Sequence, residues 1–122
     1  MNNAMASSAD IALVGIGQLD AQTSGFVREG MMTEGELQAA IADGAVGDVA
    51  WRIYTSSGDL YPCALNDRII GITLDELRQI PMTIGVASGA SKVPAIAGAL
   101  RTGAINVMCT DDKTAQAVLE LA

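Results

Sequence analysis

Histidine is absent from this 122-residue chain. Its absence removes the side chain that titrates nearest neutrality, the commonest metal ligand, and every Ser/His or Cys/His pairing. Much hydrolytic chemistry is excluded with it. The two cysteines, Cys63 and Cys109, fit neither a C-x-x-C nor a zinc spacing, so both read as reduced packing thiols and no disulfide, metal or cofactor is expected. Positive charge is scarce. Seven Lys and Arg stand against fourteen Asp and Glu, a net charge of −7 with no basic run anywhere, which is not the footprint of a chain that grips DNA. No apolar run is long enough to span a membrane, and residues 1–9 carry no Lys or Arg and no long apolar core. Neither a membrane helix nor a secretory signal is expected, and the cytoplasm is the expected compartment.

What the chain does have is apolar surface. Half of its residues are hydrophobic and the mean hydropathy is +0.33, which is greasy for one small domain, so part of that surface is expected to meet a partner. The organisation reads as a flexible extension over residues 1–9 followed by one unit over 10–122. Three continuous apolar runs, Asp10–Ile16, Thr83–Ala87 and Ala104–Cys109, have the look of parallel strands buried on both faces, and so of an α/β sheet. Thr33-Glu34-Gly35-Glu36 and Thr73-Leu74-Asp75-Glu76 match the capping box and predict two helix starts. The first helix runs through Leu37, Ala40 and Ile41 to about Gly44, and the second stops before Pro81. A third is predicted from about Lys92 to Arg101, ending at Gly103 with Pro94 in its first turn. A last one begins after Asp111 and Asp112, which suit a helix N-terminus.

Between Gly47 and Leu65 the period becomes two, with Trp51, Ile53 and Thr55 on one side and Arg52, Tyr54 and Ser56 on the other. This predicts a hairpin arm that turns at Ser57-Gly58-Asp59 and returns through Leu60-Tyr61, with Pro62 marking an edge. Tyr54 and Tyr61 are expected to cover a sheet face. The segment Gln18–Met32 reads as a long loop. Gly15-Ile16-Gly17 fails the dinucleotide fingerprint, because its third glycine falls at Asp20, and Gly85–Lys92 misses the phosphate-loop spacing.

Two candidate site residues stand out. Lys92 opens a helix after an apolar strand and a small-residue turn, where it opposes the positive end of the macrodipole. Together with the backbone N–H groups of Ser88, Gly89, Ala90 and Ser91 it can hold an anion; an ordinary surface lysine is the plain alternative. Asp48 follows Gly44-Ala45-Val46-Gly47 at the mouth of a strand, where a carboxylate can accept sugar hydroxyls or simply bond its own turn. Asp111-Asp112 reads as a cap rather than a metal pair.

Gly44-Ala45-Val46-Gly47-Asp48-Val49, Asp67-Arg68-Ile69-Ile70-Gly71-Ile72 with Leu74-Asp75-Glu76-Leu77-Arg78, Ile84-Gly85-Val86-Ala87 with Gly89 and Lys92, Ala99-Leu100-Arg101-Thr102-Gly103 and Thr110-Asp111 follow one another in this order. From Asp10 onward the chain resembles the C-terminal half of the sugar-binding domain of the SorC family of bacterial transcriptional regulators. The resemblance implies a partial three-layer sandwich with a mostly parallel sheet and a β-hairpin arm, in the fold shared by glucosamine-6-phosphate deaminase, ribose-5-phosphate isomerase and CoA transferases. It implies a phosphorylated sugar as effector, with Asp48 hydrogen-bonding its hydroxyls, Ala50 touching it, Gly89 in the turn and Lys92 helping to hold it. Ser88 stands where the family often has glycine and Ala90 where it often has glutamate, which bears on which ligand is taken.

Nothing in the chain matches a helix-turn-helix or the phosphate-binding loop of the domain's first half, so a fragment is expected, reaching DNA only through a domain it does not contain. Homo-oligomers through the apolar surface and weak effector binding follow from that expectation. A non-enzymatic sensor is the preferred reading. A sugar-phosphate isomerase or deaminase of the same fold is the alternative, with Asp48 as base, and an oligomerisation module without a ligand is the third.

Overall fold

Two threonines start two helices, as their spacing demands. In the computed structural model, which describes residues 8–20 and 25–121, the elements in chain order are β1 (Ile11–Gln18), α1 (Gly25–Arg28), α2 (Glu34–Ala42), β2 (Ala45–Val49), β3 (Arg52–Thr55), α3 (Leu65–Arg68), α4 (Leu74–Gln79), β4 (Met82–Val86), a 3-10 turn (Ala90–Lys92), α5 (Val93–Arg101), β5 (Val107–Cys109) and α6 (Asp112–Glu120). Thr33 Oγ1 accepts the Glu36 N–H at 3.0 Å while Glu36 Oε1 accepts the Thr33 N–H at 3.0 Å, and Thr73 and Glu76 repeat the exchange for α4. Asp111 caps α6 by accepting the Thr114 N–H at 2.7 Å. Most of the expected extension, residues 1–7, lies outside the described residues.

The sheet runs β3-β2-β1-β4-β5. Its β1–β4 and β4–β5 pairs are parallel, and β1–β2 and β2–β3 are antiparallel. From the central β1 the chain goes first to one side and then to the other. One cluster of buried side chains, including Ile16, Val49, Tyr54, Ile96 and Ala99, joins the sheet to α5. A second, with Phe26, Leu37, Ala45, Ile53 and Leu65, packs α1, α2 and α3 on the opposite face of the hairpin. The hairpin is therefore the middle of three layers.

The rest of the sheet is covered on one face only, which corrects the expectation of strands buried on both. Ile11 and Leu13 are 61% and 72% exposed, and Met82, Val86 and Val107 are also open to solvent. These alternate with the buried or half-buried positions of β1, β4 and β5 and share the uncovered face. Apolar composition made the strands look doubly buried; the helices of the second cluster sit beside the hairpin instead.

The expected reversal at Ser57-Gly58-Asp59 is present, with the Thr55 N–H donating to the Asp59 carbonyl and the Tyr61 N–H to the Ile53 carbonyl, both at 2.8 Å, but β3 is also the second arm of a tighter hairpin that the sequence did not announce. Val49 pairs with Arg52, so the turn of that hairpin is the two residues Ala50 and Trp51, with φ of +51° and +66°. Such turns favour Asn and Gly, and neither is present here to announce it. The expected return strand shrinks to a single Tyr54–Leu60 bridge. The segment read as a loop contains α1, anchored by Phe26, which is 1% exposed and whose carbonyl accepts from the N–H groups of Met31 and Met32.

Glycines let α5 sit directly on the hairpin. A Cβ at Gly47 would fall 2.6 Å from the Tyr54 hydroxyl and 2.8 Å from Ala95 Cβ, and one at Gly98 would fall 2.8 Å from Val46 Cγ2. Across this seam Tyr54 Oη donates to the Ala95 carbonyl at 2.6 Å, fully buried. Arg52, 5% exposed, ties β3 to the next crossover by donating to the carbonyls of Asn66, Gly71 and Ile72 at 3.0–3.2 Å. Tyr54→Phe removes the donor at the seam while keeping the ring, so we expect a loss of about 1 kcal/mol. Urea denaturation should show a lower midpoint with an unchanged slope; an unchanged midpoint would refute the role given to this hydroxyl.

Candidate functional site

Because β2 and β4 flank β1 on opposite sides, a crevice opens at the carboxyl ends of β1 and β4, the place where open α/β sheets bind ligands. A cavity of about 430 Å³ lies there, and both Asp48 and Lys92 line it. Asp48, half-buried on β2, faces Gly17 of β1 in the ladder. A Cβ on residue 17 would fall 2.3 Å from Asp48 Oδ1, so the missing side chain of Gly17 is the notch that holds the carboxylate. Burial raises the Asp48 carboxyl to about 6, opposed by the Lys92 ammonium and by the backbone N–H of Trp51. Lys92 ends the 3-10 turn, and its Nζ donates to the Ile16 carbonyl at 3.2 Å. That bond fastens the turn to the end of β1.

The other two residues singled out in the sequence are placed differently. Ala50 is the first residue of the hairpin turn, packed against the α5-side cluster and not among the residues lining this cavity. Gly89 has φ of +114°, a value that suits glycine, and its N–H donates to Thr114 Oγ1 at 3.0 Å. It lines a separate cavity of about 250 Å³ together with Asp111 and Thr114. Of the four turn amides expected to meet an anion, that of Gly89 is thus engaged by α6.

Sequence reasoning missed Gly17, Gln18, Arg28 and Trp51, all of which line the Asp48 cavity. Gln18 and Arg28 fell in the segment read as a loop. Gly17 was tested only as part of a dinucleotide motif, when its meaning lies in its pairing with Asp48. Gln18 Oε1 is buried without a hydrogen-bond partner, an acceptor waiting for a donor. Arg28 adds a second cation to that of Lys92, so two of the seven basic residues of an acidic chain border one cavity. Among the described residues no three His, Cys, Asp or Glu side chains are grouped to hold a metal, and no helix is long and apolar enough to cross a membrane.

The chain is similar to parts of transcriptional regulators. The family described as "Putative sugar-binding domain" matches residues 2–120. The transcriptional regulator LsrR of an Enterobacter species is 39% identical over 119 residues, which cover 96% of this chain and 37% of that protein. The solved putative sugar-binding domain of a transcriptional repressor from Vibrio fischeri superposes with a TM-score of 0.87 at 38% identity, covering 97% of this chain and 47% of that one. The full-length sorbitol operon regulator SorC from Klebsiella pneumoniae gives a TM-score of 0.81 at 32% identity, over 93% of this chain and 36% of its own. The chain belongs to the sugar-binding domain family found in SorC-type transcriptional regulators, and it spans little more than a third of the length of the curated relatives it matches.

The raised Asp48 carboxyl has a consequence for stability. Its native value of about 6 lies above the ordinary 3.8, so the folded state holds this proton more tightly than the unfolded one. Stability from this group is greatest below pH 3.8, falls as pH rises towards 6, and stays reduced above that. Asp48→Asn removes the dependence. Relative to the wild type, the variant should gain stability between pH 4 and 6, by on the order of 2 kcal/mol at pH 7. Denaturation at several pH values tests this; a constant difference across that window would refute the buried-carboxyl assignment.

Proposed function

We propose that this chain contributes a charged half of a pocket for a phosphorylated sugar, whose binding serves as the effector signal of a transcriptional regulator, and that it catalyses nothing. The observation that carries the reading is the meeting of Asp48 with Lys92 and Arg28 on one cavity at the switch point of the sheet. The two cations take the phosphate charge, Lys92 as a compact ammonium fixed by its bond to Ile16. Asp48, ionised above pH 6, accepts from sugar hydroxyls, and Gln18 Oε1 accepts from another. Ala50 shapes the turn that follows Asp48, and Gly89 lets the chain swing from β4 into the turn that carries Lys92.

The isomerase or deaminase reading is less well supported. Asp48 is the one carboxylate among the described residues lining the cavity, and there is no histidine to share its proton. DNA contact belongs to a helix-turn-helix outside this sequence, and the cytoplasm is the compartment where such a regulator works.

Thermal shift with D-ribose 5-phosphate, D-glucose 6-phosphate and D-fructose 6-phosphate tests the reading. Stabilisation of the wild type that is lost in Lys92→Ala, with no product formed, is the expected result. Turnover would move the chain to the enzyme class.

The uncovered sheet face gives the chain a second partner. The matched V. fischeri domain is about twice as long as this chain, and further elements of such a domain have this face to pack on. In the isolated chain a second copy takes that place, through Ile11, Leu13, Met82 and Val86. Light scattering at micromolar concentration should give at least twice the 12.5 kDa chain mass, reduced to the monomer in Leu13→Glu. A monomeric wild type would overturn this part.

A further inference from the structure

Trp51 occupies a position that costs the fold something and that its packing does not explain. It shares a two-residue turn with Ala50, and both have positive φ, a conformation that is strained for a non-glycine residue. Despite that cost, 41% of its surface stays exposed. The ring is nevertheless held firmly. Phe26 meets it edge to face, with centroids 5.0 Å apart and planes at 88°. Its Cη2 and Cζ3 atoms lie so close to Gly25 that a Cβ there would sit 3.3 and 3.5 Å from them. A strained turn, a fixed ring and an open surface occur together beside a cavity lined by Asp48, Lys92 and Arg28. Strain kept at the rim of a site marks function more often than stability.

We propose that Trp51 is the platform on which the carbon ring of the ligand lies, making this site selective for cyclic sugar phosphates over acyclic phosphates. The proposal rests on the sugar-phosphate reading of the Asp48 cavity and adds the part of the ligand that the charged residues do not recognise. Lys92 and Arg28 see the phosphate, and Asp48 and Gln18 see hydroxyls; none of them distinguishes a ring from an open chain. A furanose or pyranose presents a face of C–H groups, which packs on an indole and leaves its hydroxyls pointing sideways to polar partners. Phe26 and Gly25 fix the indole in advance, so little freedom is lost when a ring settles on it. The backbone N–H of the same residue favours the charged form of Asp48, so one turn serves both the apolar and the polar contact.

The experiment titrates the whole chain with D-glucose 6-phosphate and D-ribose 5-phosphate as cyclic probes, and with glycerol 3-phosphate and inorganic phosphate as acyclic ones. Calorimetry is run on the wild type, Trp51→Phe, Trp51→Gly and Lys92→Ala. Trp51→Gly should weaken the cyclic probes by about tenfold, the scale of one aromatic contact, and leave the acyclic ones unchanged. Trp51→Phe should stay within about threefold of the wild type. Glycine suits the turn, so Trp51→Gly is expected to fold. Independently of any variant, Trp51 is the single tryptophan of the chain. Its fluorescence should shift, and its quenching by acrylamide should fall, with cyclic probes alone. Cyclic binding that Lys92→Ala abolishes but Trp51→Gly leaves intact, or binding by the wild type without a fluorescence change, overturns the Trp51 platform and leaves the sugar-phosphate site standing. No binding of any probe to the wild type overturns both.

Discussion

The seating of α5 on the hairpin is the contact on which the rest depends. Without side chains at Gly47 and Gly98, helix and strands approach closely enough for a buried tyrosine hydroxyl to reach a carbonyl in the helix's first turn. The helix begins just after Lys92, and β2 carries Asp48. Bringing the two backbones together therefore sets how far the ammonium stands from the carboxylate. Any side chain added at either glycine pushes the helix away and moves both groups at once. The geometry of the polar site is inherited from an apolar packing decision one layer below it.

Much of the fold was legible because its signals are local. Thr33 and Thr73 announce helices through three-residue spacings that need no tertiary help, and Asp111 does the same for α6. The apolar runs mark β1, β4 and β5 for the same reason. What could not be read depends on partners distant in the chain. The reversal at Gly58, with φ of +93°, is announced by its glycine, whereas the turn at Ala50-Trp51 carries no turn residue and depends on the pairing of β2 with β3. Helix α1 is four residues long and held by one buried phenyl ring, too short to show a period. The candidate site shows the same division. Asp48 and Lys92 stood out by residue type and position, but Gly17 and Gln18 have meaning only once β1 is laid beside β2, and Arg28 only once α1 is packed beside them.

Charge is distributed against the chain's overall sign. A protein with a net charge of −7 repels anions at long range, and physiological salt screens that field beyond about 8 Å. At the cavity the local balance is reversed by Lys92 and Arg28. Discrimination is then local, since an anion gains nothing from the surface at large and something from this one hollow. The half-buried carboxylate beside the cations keeps the hollow from being a general sink for phosphate, because a ligand must also bring hydrogen-bond donors to satisfy it.

The clamp made by Arg52 has a different character. Its guanidinium is buried, yet every acceptor the structure gives it is a main-chain carbonyl. Carbonyl oxygens do not take up protons in the range where proteins live. Acidification that erodes carboxylate-based ties elsewhere leaves this one untouched, so the link between the hairpin and the crossover leading to β4 is built to be indifferent to acid.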